Sequence, residues 1–154
     1  MENKTVTMAH GAGGRQTSEL IDEVFKAHFA NPDLTADDAA VLVPPEGKMA
    51  VSTDGFIVSP AFFPGGNIGK LSICGTVNDL ACMGAKPMYL TCAFVIEEGF
   101  PMEKLEEIAA AMEKQQKKPE CVLFLEILRW QEKVRLTVCL SQQPEWVRSR
   151  RAFR

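Results

Sequence analysis

The chain has 154 residues, 46% hydrophobic and 24% charged, which fits one soluble globular domain and excludes two full-sized ones. Its 17 Lys and Arg against 20 Asp and Glu give a net charge of −3, so the overall charge offers no basis for binding nucleic acid or an anionic membrane. The charge is unevenly placed, because residues 1–114 carry net −8 and residues 115–154 carry net +5.

The chain opens with a predicted strand, a loop and a helix. Residues 5–8 have the pattern of a short strand and lead into residues 10–15 (HGAGGR), here called the glycine loop. Apolar residues recur at helical spacing from Leu20 to Phe29, and the Asn-Pro pair at residues 31–32 ends that pattern.

The middle of the chain predicts a hairpin, two helices and a long strand. Residues 39–43 and 49–53 are short apolar runs joined by a Pro-Pro-Glu-Gly turn, which indicates a hairpin. Residues 67–85 have a broad apolar face at helical spacing, and residues 88–97 are the most strand-like run. Pro101 at a first helical position opens the last predicted helix, whose glutamates form a solvated face.

Acidic residues next to predicted strand ends and helix breaks form a candidate Mg²⁺ site. Mg²⁺ takes oxygen ligands and usually keeps water and substrate phosphates in its shell. An Asn-Asp pair inside a predicted helix is unusual, because both side chains compete for backbone hydrogen bonds, and it indicates a cap or a site. For any single acid the alternative is a turn or cap carboxylate. The candidates are Asp37, Asp38, Asp54 and Asp79, with Asn78 as a neutral oxygen donor.

The glycine loop could present backbone N–H groups to phosphate, helped by the following helix N-terminus and by Arg15. It is not a Walker A motif, since no Gly-Lys-Ser/Thr follows, and Gln16 stands where the dinucleotide fingerprint needs its third glycine. A flexible turn is the alternative. His10 could serve as an acid or base, although a lone histidine is more often structural.

Several negative observations predict a cytoplasmic protein with no membrane partner. No apolar segment follows the amino terminus as a secretory signal would, and the longest apolar run, residues 88–96, is too short to span a bilayer. The five cysteines are an odd number without C-x-x-C spacing, so we predict reduced thiols, mostly buried as small hydrophobes.

Six stretches over about residues 4–114 resemble the HypE family of hydrogenase maturation factors, the carbamoyl dehydratases. Their order and spacing favour that family over the related aminoimidazole ribotide synthetases, selenophosphate synthetases and thiamin-phosphate kinases. Selenophosphate synthetases, for example, carry a Cys or selenocysteine in the glycine loop, which is absent here. The stretches are residues 10–15 (HGAGGR), 37–42 (DDAAVL), 53–56 (TDGF), 62–71 (FFPGGNIGKL), 74–87 (CGTVNDLACMGAKP) and 97–101 (EEGFP).

The resemblance implies an α+β, aminoimidazole ribotide synthetase-like amino-terminal domain. Its mixed sheet, packed with helices, is expected to pair with a second copy in a homodimer barrel, with ATP and Mg²⁺ bound near the interface. By this resemblance the metal and phosphate ligands are Asp37, Asp38, Asp54 and Asp79. The other ATP or phosphate contacts implied are Gly11, Gly13, Gly14, Arg15, Thr53 and Asn78.

The resemblance also implies a reaction and partners. A carbamoyltransferase places a carbamoyl group on a carboxy-terminal cysteine, ATP activates its oxygen, and dehydration leaves a thiocyanate. The cyano group then passes through an iron-scaffold complex to the iron of a [NiFe] hydrogenase precursor. No catalytic residue is assigned here, because the acceptor cysteine is absent and Cys121 and Cys139 do not replace it.

Residues 115–154 depart from the family, which continues with Glu-Ala-Gly-Val and then Gly-Asp-Thr-Lys-Val. If residues 125–130 (LEILRW) are encoded CTG GAG ATA CTA AGG TGG, reading from the third base gives Gly-Asp-Thr-Lys-Val. The same offset over residues 117–122 permits Glu-Ala-Gly-Val. We therefore hypothesise that the tail is an out-of-frame translation ending at a chance stop; the alternative is a divergent natural tail.

Three interpretations of function follow. The first is an incomplete ATP-binding and dimerisation domain (residues 1–114) of a HypE-type carbamoyl dehydratase, inactive as it stands because it lacks the second domain and the acceptor cysteine. The second is a dimerising nucleotide-binding module without turnover. The third is another ATP-dependent synthetase or kinase of the superfamily.

The frame hypothesis predicts a specific coding sequence. A single-base shift near codon 115 should restore Gly-Asp-Thr-Lys-Val downstream of residue 114. Sequencing the coding DNA measures this directly, and a gene in which no such shift restores that stretch contradicts the hypothesis.

Overall fold

The computed structural model describes residues 4–32, 41–43, 46, 49–118, 122–131 and 137–145, with the strands beyond residue 123 described by their backbone. A 3-10 turn (Met8–Gly11) precedes a continuous helix built from α1 (Arg15–Leu20), a π-helical segment (Ile21–Phe25) and α2 (Lys26–Phe29). The later helices are α3 (Ile68–Cys82) and α4 (Met102–Gln116). The strands are β1 (Thr53–Ile57), β2 (Phe62–Phe63), β3 (Gly66–Asn67), β4 (Lys86–Glu97), β5 (Val122–Gln131) and β6 (Thr137–Glu145).

A mixed four-stranded sheet in the order β1-β6-β4-β5 organises the chain, beside a small β2-β3 hairpin. Strand β6 runs antiparallel to both β1 and β4, so β1 and β4 are parallel to each other, and β5 is parallel to β4. The helices α3 and α4 cross over between these parallel strands and pack side by side. The predicted α+β class with a mixed sheet is therefore confirmed.

The core lies between β4 and the helices. Alternate residues of a strand point to opposite faces, and every second residue of β4 from Leu90 to Ile96 is almost fully buried. The residues between them, Thr91, Ala93 and Val95, are half-buried on the other face. The buried cluster also contains Phe25, whose ring centroid lies 4.8 Å from that of Phe94.

Helices α3 and α4 cross closely at their amino-terminal halves. The Asn67 side chain caps α3 by accepting the Lys70 N–H at 3.0 Å, and its amide donates to the Glu107 carbonyl on α4 at 3.4 Å. A Cβ placed on Gly69 would lie 2.5 Å from the Ile108 carbonyl oxygen. The contact therefore requires glycine at position 69.

A charged cluster joins the end of α2 to α4. The His28 Nδ1 lies 2.7 Å from Glu113 Oε2, and the Lys117 ammonium binds the other oxygen of the same carboxylate. Lys117 and, secondly, His28 hold the pKa of the Glu113 carboxyl below its usual range. The predicted solvated face is confirmed for Glu103, Glu106 and Glu107, but Glu113 is half-buried in this cluster.

The other helices and strands follow the prediction closely. The first helix ends at Phe29 before the Asn-Pro pair, α3 begins after Asn67, and β4 reaches Glu97. Pro101 caps α4 one position earlier than predicted. Within the described part of the chain, no helix combines the length and apolar composition that crossing a membrane would require.

The predicted hairpin of residues 39–43 and 49–53 is wrong where the structure describes it. Residues 41–43 form no strand, and Val41 and Val43 are 92% and 87% exposed, so no buried face supports strand pairing. The strand begins instead at Thr53, where pairing with β6 starts opposite Ser141.

Two smaller predictions also need correction. The predicted strand over residues 5–8 is only a bridge between Thr5 and Pro101, because proline has no N–H to extend the ladder and a 3-10 turn begins at Met8. Cys92 is buried as predicted, whereas Cys74 and Cys82 are exposed on α3.

The close contact between α3 and α4 predicts that one added methyl group at Gly69 destabilises the fold. Gly69→Ala should lower the free energy of unfolding by about 1–3 kcal/mol, because the new methyl meets the Ile108 carbonyl oxygen rather than a movable side chain. Urea unfolding measures this. Gly75→Ala is the matched control with a smaller expected loss, because its methyl meets the edge of the half-buried Phe56 ring. Equal losses in the two variants would contradict the prediction.

Candidate functional site

Two of the predicted acids meet where β1 packs on α3. Asp54, the second residue of β1, and Asp79, in the last turn of α3, share a side-chain hydrogen bond. That bond is the main reason why the pKa of Asp54 is raised above its usual range; partial burial and the negative charge of Asp79 act in the same direction. The Ser52 hydroxyl donates to Asp79 Oδ2 at 3.3 Å. We call Asp54 and Asp79 the acid pair.

Strand alternation and a glycine bring the acid pair together. Asp54 and Phe56 are half-buried toward α3, whereas their neighbours in β1 are exposed. The Phe56 ring occupies the space that a Cβ on Gly75 would fill, at 2.7 Å from its ideal position. Because Gly75 lies about one turn before Asp79, this close approach holds β1 against the last turn of α3.

The electrostatics of the acid pair favour a cation. Two carboxylates in contact repel each other, and the carboxyl end of α3, where Asp79 lies, adds the negative end of the helix dipole. Carboxylate oxygens suit Mg²⁺, which often uses only one or two of them and completes its shell with water and phosphate. Among the described residues, no group of three or more His, Cys, Asp or Glu side chains is arranged to hold a metal. The other two predicted acids, Asp37 and Asp38, lie outside the described residues.

The remaining predicted contacts near the acid pair are solvent-accessible. Asn78 is exposed on α3 next to Asp79. Thr53 is exposed, and strand alternation places it on the face of β1 opposite to Asp54. Its predicted nucleotide contact would therefore lie on the face of the sheet that none of the described helices covers.

The glycine loop has a defined conformation. Gly13 is in the left-handed region with φ +79°, which favours glycine, and its N–H donates to Thr17 Oγ1 at 3.0 Å. Gly14 is the N-cap residue, and Arg15 begins α1 with its guanidinium 3.3 Å from the Glu19 carboxylate. Gly11 ends the preceding 3-10 turn.

Side chains outside the predicted set support the loop. The His10 Nδ1 accepts the Thr7 N–H at 3.0 Å, which gives His10 a structural role in the turn. The Met8 N–H donates to Glu98 Oε1 at 3.2 Å. Thr17 could have been found from its place in the first turn of a predicted helix, but no sequence signal links Glu98 to Met8, 90 residues earlier.

The structure does not bring the glycine loop to the acid pair of the same chain. Strand pairing puts Asp54 level with Cys92 of β4, on the β1 edge of the sheet. The loop follows the 3-10 turn, whose Met8 contacts Glu98 six residues after Cys92 and just beyond the end of β4, and this turn lies on the β5 side. The separation is about 20 Å along the strands alone.

A family model and relatives match the chain. The model of the AIR synthase related protein, N-terminal domain, matches residues 36–124. The carbamoyl dehydratase HypE of Rhizobium leguminosarum bv. viciae is 50% identical over 111 residues, which are 71% of this chain and 32% of that protein. The chain thus spans about a third of the length of the curated relatives it matches.

Solved structures share the fold. A crystal structure of the hydrogenase maturation protein HypE in complex with ATP superposes with a TM-score of 0.88 and 37% identity, covering 93% of this chain and 44% of that chain. A HypE–HypF complex matches with a TM-score of 0.61 and 44% identity, covering 81% of this chain and 41% of that one. The predicted aminoimidazole ribotide synthetase-like fold is confirmed by these matches.

The contact between Asp54 and Asp79 predicts how the pKa of Asp54 responds to a substitution at Asp79. Asp79→Asn should lower the pKa of Asp54 toward its usual range, because the hydrogen-bonding carboxyl and its charge are both removed. A raised carboxyl pKa means that the folded chain holds this proton more tightly than the unfolded chain. The stabilisation from protonating Asp54 therefore appears as pH falls through the raised pKa and is lost as pH rises through it.

Carbon-13 NMR of the carboxyl groups measures the titration. Asp22→Asn, which removes an exposed acid paired with Lys26, is the control and should leave the pKa of Asp54 unchanged. An Asp54 pKa that is the same in Asp79→Asn and in the unsubstituted chain would rule out the contact as its cause.

Proposed function

Because the chain belongs to the AIR synthase related family through its N-terminal domain, we propose that it is the ATP-binding and dimerising part of a HypE-type carbamoyl dehydratase. In the proposed reaction, ATP drives the dehydration of a protein S-carboxamide to a thiocyanate, the source of a cyanide ligand for [NiFe] hydrogenase. The observation that carries the proposal is the acid pair, set on a domain that superposes on an ATP complex of HypE.

The acid pair would hold Mg²⁺ and, through it, the phosphates of ATP. A phosphate alone would be repelled by two carboxylates and by the carboxyl end of α3. A bound Mg²⁺ supplies positive charge that neutralises the phosphate oxygens. Asp54 and Asp79 would ligate the ion, the Ser52 hydroxyl would orient Asp79, and Asn78 would offer a neutral oxygen at the rim. Asp37 and Asp38 are proposed to complete the set.

The glycine loop is proposed to contact phosphate through the N–H groups of Gly14 and Arg15 at the start of α1, with Gly11 and Gly13 shaping the loop beside them. Arg15 is free to move, since its side chain is 87% exposed and its only described ion pair is with Glu19 on the same helix. Phosphate would compete with Glu19 for this guanidinium.

A homodimer is proposed for two reasons. The face of β4 opposite the helices carries half-buried Thr91, Ala93 and Val95, and no described helix covers it. In addition, the glycine loop and the acid pair of one chain lie far apart. Face-to-face pairing of two sheets would cover this face. Because Asp54 lies on the opposite face, toward α3, the loop of the partner protomer would approach the acid pair around the β1 edge of the sheet.

The whole protein's partners are proposals as well. A HypE–HypF complex is among the similar structures. We propose that this chain, like its longer relatives, binds a maturation partner of that kind. A carbamoyltransferase and an iron-scaffold complex are the partners that the proposed chemistry requires.

We propose that residues 1–114 form the family part and that the tail is out of frame, while the family model itself matches as far as residue 124. The tail strands β5 and β6 pair with β4, and β6 is the one described strand beside β1. The residues of β5, VLFLEILRWQ, are mostly apolar and favour a strand whatever the origin of the tail, so this pairing fits both a frameshifted and a natural tail. The coding DNA separates them.

A second candidate is a dimerising module that binds nucleotide without turnover. It requires only the acid pair and the glycine loop, which the described residues contain. A third candidate, another synthetase or kinase of the superfamily, is disfavoured by the 50% identity to a carbamoyl dehydratase.

Magnesium-dependent ATP binding by the purified chain tests the proposal. Isothermal titration should detect ATP binding that is lost in EDTA. Asp54→Asn and Asp79→Asn should each weaken it at least about ten-fold, because each removes a proposed metal ligand. Asp22→Asn, an exposed acid on the first helix, is the matched control and should leave the affinity unchanged.

Two outcomes decide between the candidates. Absence of ATP binding by the unsubstituted chain, or full affinity in both acid-pair variants, would defeat the site assignment. ATP hydrolysis stimulated by Mg²⁺ would defeat the module without turnover.

A further inference from the structure

The glycine loop is held in place by two side chains that were not among the predicted site residues, Thr17 and Glu98. We propose that Thr17 and Glu98 are positioning residues, which fix the loop in its phosphate-receiving conformation before any nucleotide binds. This inference rests on the proposed function, because it assumes that the loop contacts phosphate.

Thr17 fixes the one left-handed residue of the loop. Its Oγ1 accepts the Gly13 N–H at 3.0 Å, and its own backbone N–H donates to the Gly14 carbonyl at 3.0 Å. The helix therefore fixes the Thr17 backbone, and the branched Cβ restricts its χ1 angle. Gly13 is thereby held at φ +79°, whereas a glycine without this bond would also populate other backbone conformations.

Glu98 fixes the entry to the loop. Its Oε1 accepts the Met8 N–H at 3.2 Å, and backbone bonds from Gly99 N to the Val6 carbonyl and from Val6 N to the Phe100 carbonyl join the same two segments, both at 2.8 Å. Glu98 follows β4 directly, and Ile96 two residues before it is fully buried. The loop is thus anchored to the end of a strand whose inner face is almost fully buried.

These two anchors act from opposite ends of the loop. One lies in the helix that follows it, and the other lies in the turn between β4 and α4. A loop ordered in advance loses less conformational freedom when ligand binds, so its anchors raise affinity without touching the ligand. Neither Thr17 nor Glu98 is expected to contact phosphate.

Paired substitutions at Thr17 test the first anchor. Thr17→Val keeps the shape and removes the acceptor, Thr17→Ser restores a hydroxyl, and Ser18→Ala is the control for losing a hydroxyl from the same turn. Thr17→Val should raise the hydrogen-exchange rate of the Gly13 amide, measured by NMR without nucleotide, about two- to ten-fold. It should weaken Mg²⁺-dependent ATP binding by a similar factor, and Thr17→Ser should restore both.

Glu98 is tested in the same way. Glu98→Ala should raise exchange at the Met8 amide and weaken ATP binding, whereas Glu98→Gln, which keeps an amide oxygen as acceptor, should restore most of both. Thermal unfolding of every variant should stay close to that of the unsubstituted chain, because both side chains lie at the surface of the fold.

The outcomes separate this inference from the proposed function. If the unsubstituted chain binds no ATP, the proposed function fails and the inference fails with it. If the unsubstituted chain binds ATP and Thr17→Val and Glu98→Ala bind it equally well, only the inference is overturned. Unchanged exchange of the Gly13 amide in Thr17→Val overturns it too, whatever the affinity.

Discussion

Helix α3 approaches two neighbours so closely that a Cβ at either contact would overlap the neighbour in its present position, and the rest of the structure depends on this packing. Gly69 lets the helix reach the Ile108 carbonyl of α4, and Gly75 lets the Phe56 ring of β1 lie against the helix. Protein interiors are close-packed, so such contacts leave little freedom to shift. The two glycines therefore fix where α3 lies between α4 and the edge of the sheet, and the acid pair follows from that position.

The repulsion between the two carboxyl groups of the acid pair lowers the stability of the fold around it. Asp54 and Asp79 share a hydrogen bond that holds a proton on Asp54 to higher pH than usual, and the helix end adds further negative charge. Such an arrangement is explained most simply by a cation that relieves the repulsion, since perturbed carboxyl groups concentrate at functional sites. The glycine loop attracts the opposite charge, because its exposed N–H groups favour an anion.

A nucleotide with Mg²⁺ carries both kinds of charge, yet the two features lie apart in one chain. The loop is anchored beyond the carboxyl end of β4, while the acid pair lies level with its middle on the far edge. Their separation follows from the sheet order β1-β6-β4-β5, and among the described residues no helix covers the second face of β4. Both favour an assembly of two chains over a complete site within one.

The sequence by itself determined the helices around Ile73 and Ile108 and the strand β4, because periodicity and local residue chemistry act over a few neighbours. The α+β class followed from the family resemblance of its motifs, and the same motifs named four candidate acids, Asp37, Asp38, Asp54 and Asp79. The sequence prediction misplaced the hairpin before β1, since strand pairing depends on a partner more than 80 residues away. Only the tertiary structure decided that Asp54 and Asp79 touch, that Glu98 holds Met8, and that the glycine loop lies apart from the acids. Those contacts join residues distant along the chain, and their geometry depends on how tightly the helices and the sheet pack.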